Sequence, residues 1–129
     1  MDLTKIPLFA AMAKRMQWLS ARQSVIAENV ANANTPGFRA SDLKPMDFAK
    51  VLGGQTGSLQ LAATDPAHIT ASSGSVNGSE FIQMVTSPNS VSLEEQMMKV
   101  SQTATDYAFT TGLYQKQISL IKDAIGHGG

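Results

Sequence analysis

Apolar residues at both ends of the chain follow a coiled-coil rhythm. Phe9, Met12, Met16, Leu19, Gln23, Ile26, Val30 and Ala33 are spaced three and four apart, with Gln23 the polar exception. Pro7 suits the first turn, where its missing N–H costs nothing. Pro36 disfavours helix at Thr35, and Gly37 follows. The pattern predicts a first helix over 9–33, roughly 37 Å long. A second series, Leu93, Met97, Val100, Ala104, Tyr107, Thr111, Tyr114, Ile118, Ile121 and Ile125, predicts a second helix of roughly 50 Å, interrupted only by Thr111. Ser92 and Glu95 read as its capping box: the Ser92 hydroxyl accepts from the first turn, and Glu95 reaches back.

Two long helices with narrow apolar stripes, at opposite ends of one short chain, are natural partners. The expected fold is mainly α, the N- and C-terminal helices pairing as an antiparallel coiled-coil hairpin. If the chain ends meet, Phe9 lies near Ile125 and the two polar interruptions, Gln23 and Thr111, fall at one height. Each would then relieve the other in the seam. Three parts follow: the first helix over 1–35, a turn motif and irregular centre over 36–92, and the second helix over 93–129.

The centre differs in kind. Across residues 53–92, 21 of 40 positions are Gly, Ser, Thr, Pro or Asn, too polar for a separate core. Short extended pieces are expected around Leu59–Ala62 and Phe81–Val85, and Gly53-Gly54-Gln55-Thr56-Gly57 reads as a flexible linker.

Charge and composition narrow the function. Ten basic residues balance ten acidic ones within 129 residues, so the net charge is zero. A nucleic-acid binder or a polybasic membrane-surface protein needs a basic excess. There is no cysteine, hence no disulfide or thiolate chemistry. The apolar run Ile6–Ala13 is followed at once by Lys14-Arg15 and continues at helical spacing, so it reads as a mature helix and not as a cleaved signal. Asp65 and His68 sit in a Pro-containing turn without further ligands, and Asn77-Gly78 reads as a turn. No catalytic set, cofactor site or metal site emerges. An enzyme is not expected.

Packing does not explain residues 27–38. Asn29 and Asn32 lie three apart on one helical face, and Asn is a poor interior helix residue. Their amides suit carbonyl capping at the helix end or bonding across an interface. In Thr35-Pro36-Gly37-Phe38, Pro and Gly sit where a type II turn wants them, which predicts positive φ at Gly37.

The run Asn29-Val30-Ala31-Asn32-Ala33-Asn34-Thr35-Pro36-Gly37-Phe38 resembles the N-terminal signature of the bacterial flagellar axial proteins, the rod and hook family. Val30 and Phe38 are conservative departures from that signature. Arg39-Ala40-Ser41-Asp42, Asp47-Phe48 and Val91-Ser92-Leu93-Glu94-Glu95-Gln96-Met97-Met98-Lys99 are similar to segments of its rod members, with Lys44-Pro45-Met46 as a longer spacer. The resemblance implies a structural subunit of the proximal rod that polymerises helically with itself around the export channel and transmits torque. It implies flagellar type III export without a cleaved signal, a location in the periplasmic rod of the basal body, and contact with adjacent rod proteins such as FlgC and with the adaptor FliE. Asn29, Asn32, Thr35, Pro36, Gly37 and Phe38 would form an assembly motif. Alternatives are another rod protein of the FlgC type, or a small helical-hairpin adaptor or export chaperone.

Overall fold

The computed structural model describes residues 6–55 and 82–126. In chain order it contains α1 (Pro7–Ala31), β1 (Arg39–Leu43), α2 (Phe48–Gln55), β2 (Met84–Ser90) and α3 (Leu93–Gly126). The protein is mainly helical, with two long helices of 25 and 34 residues and one two-stranded antiparallel sheet.

Each boundary has a local cause. Pro7 opens α1, which has no side-chain cap at Ile6. At the other end the Asn32 amide donates to the Glu28 carbonyl at 2.9 Å, satisfying one of the exposed last-turn acceptors. The chain then turns: Phe38 N–H donates to Thr35 O at 3.2 Å, and Gly37 has a φ of 76°. A Pro-Gly turn closed in this way needs left-handed backbone at its third residue, which glycine adopts without steric cost.

α3 begins with half of the expected capping box. The Ser92 hydroxyl accepts from Glu95 N–H at 3.4 Å, while the Glu95 carboxylate pairs forward with Lys99 at 2.8 Å instead of reaching back.

β1 pairs with β2 from Leu43 opposite Met84 to Arg39 opposite Ser90, with an irregularity between Arg39 and Ser41. The extended piece expected around Phe81–Val85 is therefore β2, shifted toward the C-terminus. The piece expected at Leu59–Ala62 lies outside the described residues, as do Asp65, His68 and Asn77.

Two elements were not anticipated. β1 forms because Ala40 and Leu43 are buried against α1. α2 replaces the first part of the expected linker: its helix continues through Gly53 and Gly54 to Gln55. Asp47 starts it by accepting from Lys50 N–H at 3.1 Å, and Phe48, Val51 and Leu52 are half-buried beside α1.

The core centres on Trp18, Leu19 and Leu43, with Ala21, Val25 and Met46 packed on them. Lys44-Pro45-Met46 closes it. Met46 lies on the cluster, the Lys44 carbonyl accepts the Trp18 indole N–H at 3.1 Å, and Lys44 N–H bonds the Gln83 carbonyl beside β2.

Candidate assembly site

Side-chain contacts join α1 to α3 along their length. Asn29 bonds Gln96, the Thr111 hydroxyl lies 3.7 Å from the Met16 sulfur, and the Phe9 and Tyr114 rings stack edge to face with centroids 5.1 Å apart. Positions rise on one helix as they fall on the other.

The register differs from the expected one. Phe9 meets Tyr114, whereas Ile125 is exposed. Gln23 is exposed as well, and Thr111 sits beside Met16, about two turns of α1 away from it (roughly 10 Å). Matching the two polar interruptions does not set the register. The bond between Asn29 and Gln96 does.

That bond also turns α3. Docking Gln96 instead of its neighbour Met97 against α1 rotates the start of the helix by about 100° from the expected face. The buried residues of α3 are consequently Gln96, Thr103 and Thr110, one heptad apart, while Met97 and Tyr107 are exposed. Farther along, Val100, Thr111, Tyr114, Ile118 and Ile121 are half-buried, as a seam would place them. On α1, Phe9, Met12, Leu19 and Ile26 are buried and Met16 is half-buried, but Val30 is exposed like Gln23.

The signature asparagines divide the work. Asn32 ends α1 and accepts from the Thr35 hydroxyl at 3.3 Å. Asn29 is 1% exposed and joins three elements: its amide donates to Ser41 O at 2.6 Å and to Gln96 Oε1 at 2.9 Å, and its carbonyl accepts from Ser41 N–H at 2.9 Å. A carboxamide is the smallest side chain that serves a strand backbone in both senses and still has a donor left for a second helix. Deleting it would strand the buried Gln96 oxygen and two Ser41 backbone groups, and burying unpaired polar groups is costly.

Beside this clamp lies an ion cluster that the sequence reading missed. Arg22 grips Asp42 bidentately at 2.9 and 3.0 Å, and Lys99 approaches the same carboxylate at 3.3 Å. Arg22 also lies over the Trp18 ring, 5.4 Å from its centroid. Partial burial opposes the charged form of Asp42, but the Arg22 hydrogen bonds, the Leu43 N–H and the positive charges of Arg22 and Lys99 outweigh it, holding the carboxyl below its ordinary pKa. Lys99 is raised, chiefly by its hydrogen bond to Glu95 and against some desolvation, with Asp42 adding to the rise. The only clue in the sequence was that Arg22 and Lys99 adjoin predicted seam positions, Gln23 and Val100; Asp42 carried none.

Thr35, Pro36 and Gly37 are exposed and Phe38 is half-buried. With Arg39, Pro88 and Val91 they line an open cleft of about 370 Å³ between the turn and the end of β2. Among the described residues, no group of acidic or histidine side chains is arranged to hold a metal, and no helix is long and apolar enough to cross a membrane.

Residues 11–39, which hold the buried face of α1, the clamp asparagine and the turn, match the family model described as flagella basal body rod protein. The chain is 37% identical over 119 residues, 87% of each chain, to the flagellar basal body rod protein FlgB of Agrobacterium fabrum. The chain belongs to the FlgB family of flagellar basal body rod proteins. Its similarity to the FlgB protein of Proteus mirabilis is 32% identity over 81% of this chain and 77% of the relative. For that of Salmonella typhimurium the identity is 30%, over 78% and 74%. As a member of this family the chain is a structural component of the flagellar basal body rod and not an enzyme.

Proposed function

We propose that this chain builds the proximal part of the rod, polymerising helically with itself around the export channel and passing torque outward for motility. In this reading α1 and α3 pair as an antiparallel coiled-coil hairpin. The chain divides into a helical part over 1–35, a turn motif and central segment over 36–92, and a second helical part over 93–129. The signature residues Asn29, Asn32, Thr35, Pro36, Gly37 and Phe38 act as an assembly motif by holding the turn and sheet against the helices. The neighbours are further copies, an adjacent rod protein such as FlgC, and the adaptor FliE at the inner-membrane ring. The subunit reaches the periplasmic rod by flagellar type III export without a cleaved signal.

The observation that carries this reading is the 37% identity to a FlgB protein across 87% of both chains. Two helices too long to bury themselves within one short chain agree with it.

The test is genetic and biochemical. Deleting the gene should abolish motility, and an epitope-tagged copy should restore it and co-purify with basal bodies. Normal motility in the deletion strain, or a tagged protein absent from basal bodies, would overturn the reading. Site-directed crosslinking from the exposed turn then identifies the FlgC and FliE neighbours by mass.

A further inference from the structure

The first half of α3 carries two faces suited to α1, and only one is in use. At 100° per residue, Gln96 and Thr103 lie roughly 20° apart and in line with the later contact at Tyr114; they are the buried face. Leu93, Met97, Val100 and Ala104 form a second face, centred roughly 80° farther round. Val100 on its near side is half-buried, while Leu93, Met97 and Ala104 are exposed, Leu93 at 50% and Met97 at 64%. In the second half of α3 the two faces nearly merge, and Thr111, Tyr114, Ile118 and Ile121 are all half-buried.

The face in use is the more polar one. The Thr103 hydroxyl is buried without a hydrogen-bond partner among the described residues. Two polar contacts hold this face in place: Asn29 donates to Gln96 Oε1 at 2.9 Å, and Lys99 pairs with Asp42 at 3.3 Å. Turning the start of α3 toward its second face breaks both. In exchange it takes Leu93 and Met97 out of water and returns the Thr103 hydroxyl to it.

The helix can supply such a turn. Spread over the stretch from Gln96 to Thr111, it amounts to about 5° per residue, of the same order as the roughly 3° per residue by which helices twist to keep a heptad seam. That stretch also holds two hydroxyl back-bonds of the kind that bend helices, Thr105 to Ser101 O at 3.0 Å and Thr110 to Asp106 O at 2.8 Å.

We propose that the first half of α3 is a rotary latch with two docked states. The Asn29–Gln96 and Asp42–Lys99 contacts lock the state described above. Their release turns the helix, so that Leu93, Met97 and Ala104 face α1 and Gln96, Lys99 and Thr103 face outward. The second half, already docked by residues common to both faces, is the fixed end. The turn exchanges an apolar outer surface for a polar one without undocking the helix. It is a property of one protomer and does not depend on the rod reading.

The absence of cysteine makes the test clean, because a single introduced thiol reports its own exposure. Thr103→Cys, Ala104→Cys and Met98→Cys are each made in the otherwise unchanged protein and in a Gln96→Ala background, and the rate of alkylation by N-ethylmaleimide is measured. In the unchanged protein positions 98 and 104 should react fast and position 103 slowly. With Gln96→Ala, position 104 should slow and position 103 quicken, each by about tenfold, while position 98 stays fast. Lys99→Met, which keeps the Asn29–Gln96 bond and the Arg22–Asp42 pair, should slow position 104 in the same direction but by less. It carries the test if Gln96→Ala loses cooperative unfolding. An unchanged order of rates in the folded variants would overturn the latch. So would positions 103 and 104 both reacting as fast as 98, which would mean that α3 leaves α1 instead of turning on it.

Discussion

The two long helices bury opposite kinds of surface. α1 buries Phe9, Met12, Leu19 and Ile26, and its one buried polar residue, Asn29, is fully bonded. α3 fully buries only Gln96, Thr103 and Thr110, and leaves Met97, Met98, Tyr107 and Phe109 exposed. The Thr103 hydroxyl is even buried without a hydrogen-bond partner. A helix serving only its own protomer would reverse that choice, because apolar burial is worth about 25 cal/mol per Å² and an unpaired hydroxyl costs free energy. α1 is thus the core of the protomer. α3 is held to it by the Asn29–Gln96 bond, the Phe9–Tyr114 ring contact and the half-buried Val100, Ile118 and Ile121.

The sharpest way to break this comparison is the same substitution on both helices. Leu19→Asp places a charge in the core beside Trp18 and Leu43 and should cost at least about 4 kcal/mol, abolishing cooperative thermal unfolding followed by circular dichroism. Met97→Asp should cost under about 0.5 kcal/mol in the isolated protein, because its side chain is already in water. Comparable losses would mean that Met97 belongs to the protomer core.

Next in size is the clamp. Asn29→Ala should cost about 2–3 kcal/mol by denaturant titration, since it removes three hydrogen bonds and leaves Gln96 unpaired. Asn32→Ala should cost about 1 kcal/mol or less, as it removes only two exposed bonds, one to the Glu28 carbonyl and one from the Thr35 hydroxyl. Equal effects would show that the two asparagines only terminate a helix.

Asp42→Asn should cost about 1–2 kcal/mol at neutral pH by weakening the bidentate Arg22 pair. The pH dependence follows from the shifts. Because the Asp42 pKa is lowered on folding, its contribution is present above the ordinary carboxylate range and is lost as pH falls through the lowered value. Because the Lys99 pKa is raised, its contribution is present below the ordinary lysine range and is lost as pH rises through the raised value. Stability measured against pH should therefore fall at both extremes, and Asp42→Asn should flatten the acid limb. An unchanged acid limb would remove Asp42 from the account.

An effect of similar size is expected at the turn. Gly37→Ala should cost about 1–2 kcal/mol from left-handed backbone alone, since nothing lies within 4 Å of an added Cβ. Gly53→Ala, with equal space but helical backbone, should be neutral or stabilising. A silent Gly37→Ala would mean that the turn relaxes.

The contrast between the helices also explains what could be read in advance. α1 was legible from periodicity because its apolar stripe and its buried face largely coincide. The turn was legible because Pro36 and Gly37 have few conformational choices. The facing side of α3 was legible only in its later part, at Thr111, Tyr114, Ile118 and Ile121: apolar periodicity does not foresee that Gln96, Thr103 and Thr110 are the buried positions. The register failed for the same reason, since Asn29 and Gln96 outweigh the pairing of Gln23 with Thr111, and such a bond between residues 67 apart leaves no local mark. β1 and α2 are short, and tertiary contact rather than propensity makes them. The ion cluster of Asp42 requires three separate segments to meet before it exists.

The reach of the clamp bears on the order in which the chain acquires its shape. Asn29 bonds Ser41 across 12 residues but Gln96 across 67. Loop-closure entropy grows with the logarithm of length, so the second contact carries about 1.5 kcal/mol more closure cost than the first. The early event is local: α1, the turn and β1 can meet while the rest of the chain is still unformed. Docking of α3 waits for the last quarter of the polypeptide. Until then the apolar face of α1 has only its near neighbours for cover, and a chain delivered from its N-terminus stays partly open until delivery ends. Stopped-flow refolding should therefore show the Trp18 environment forming before the Gln96 end docks, in two resolvable phases.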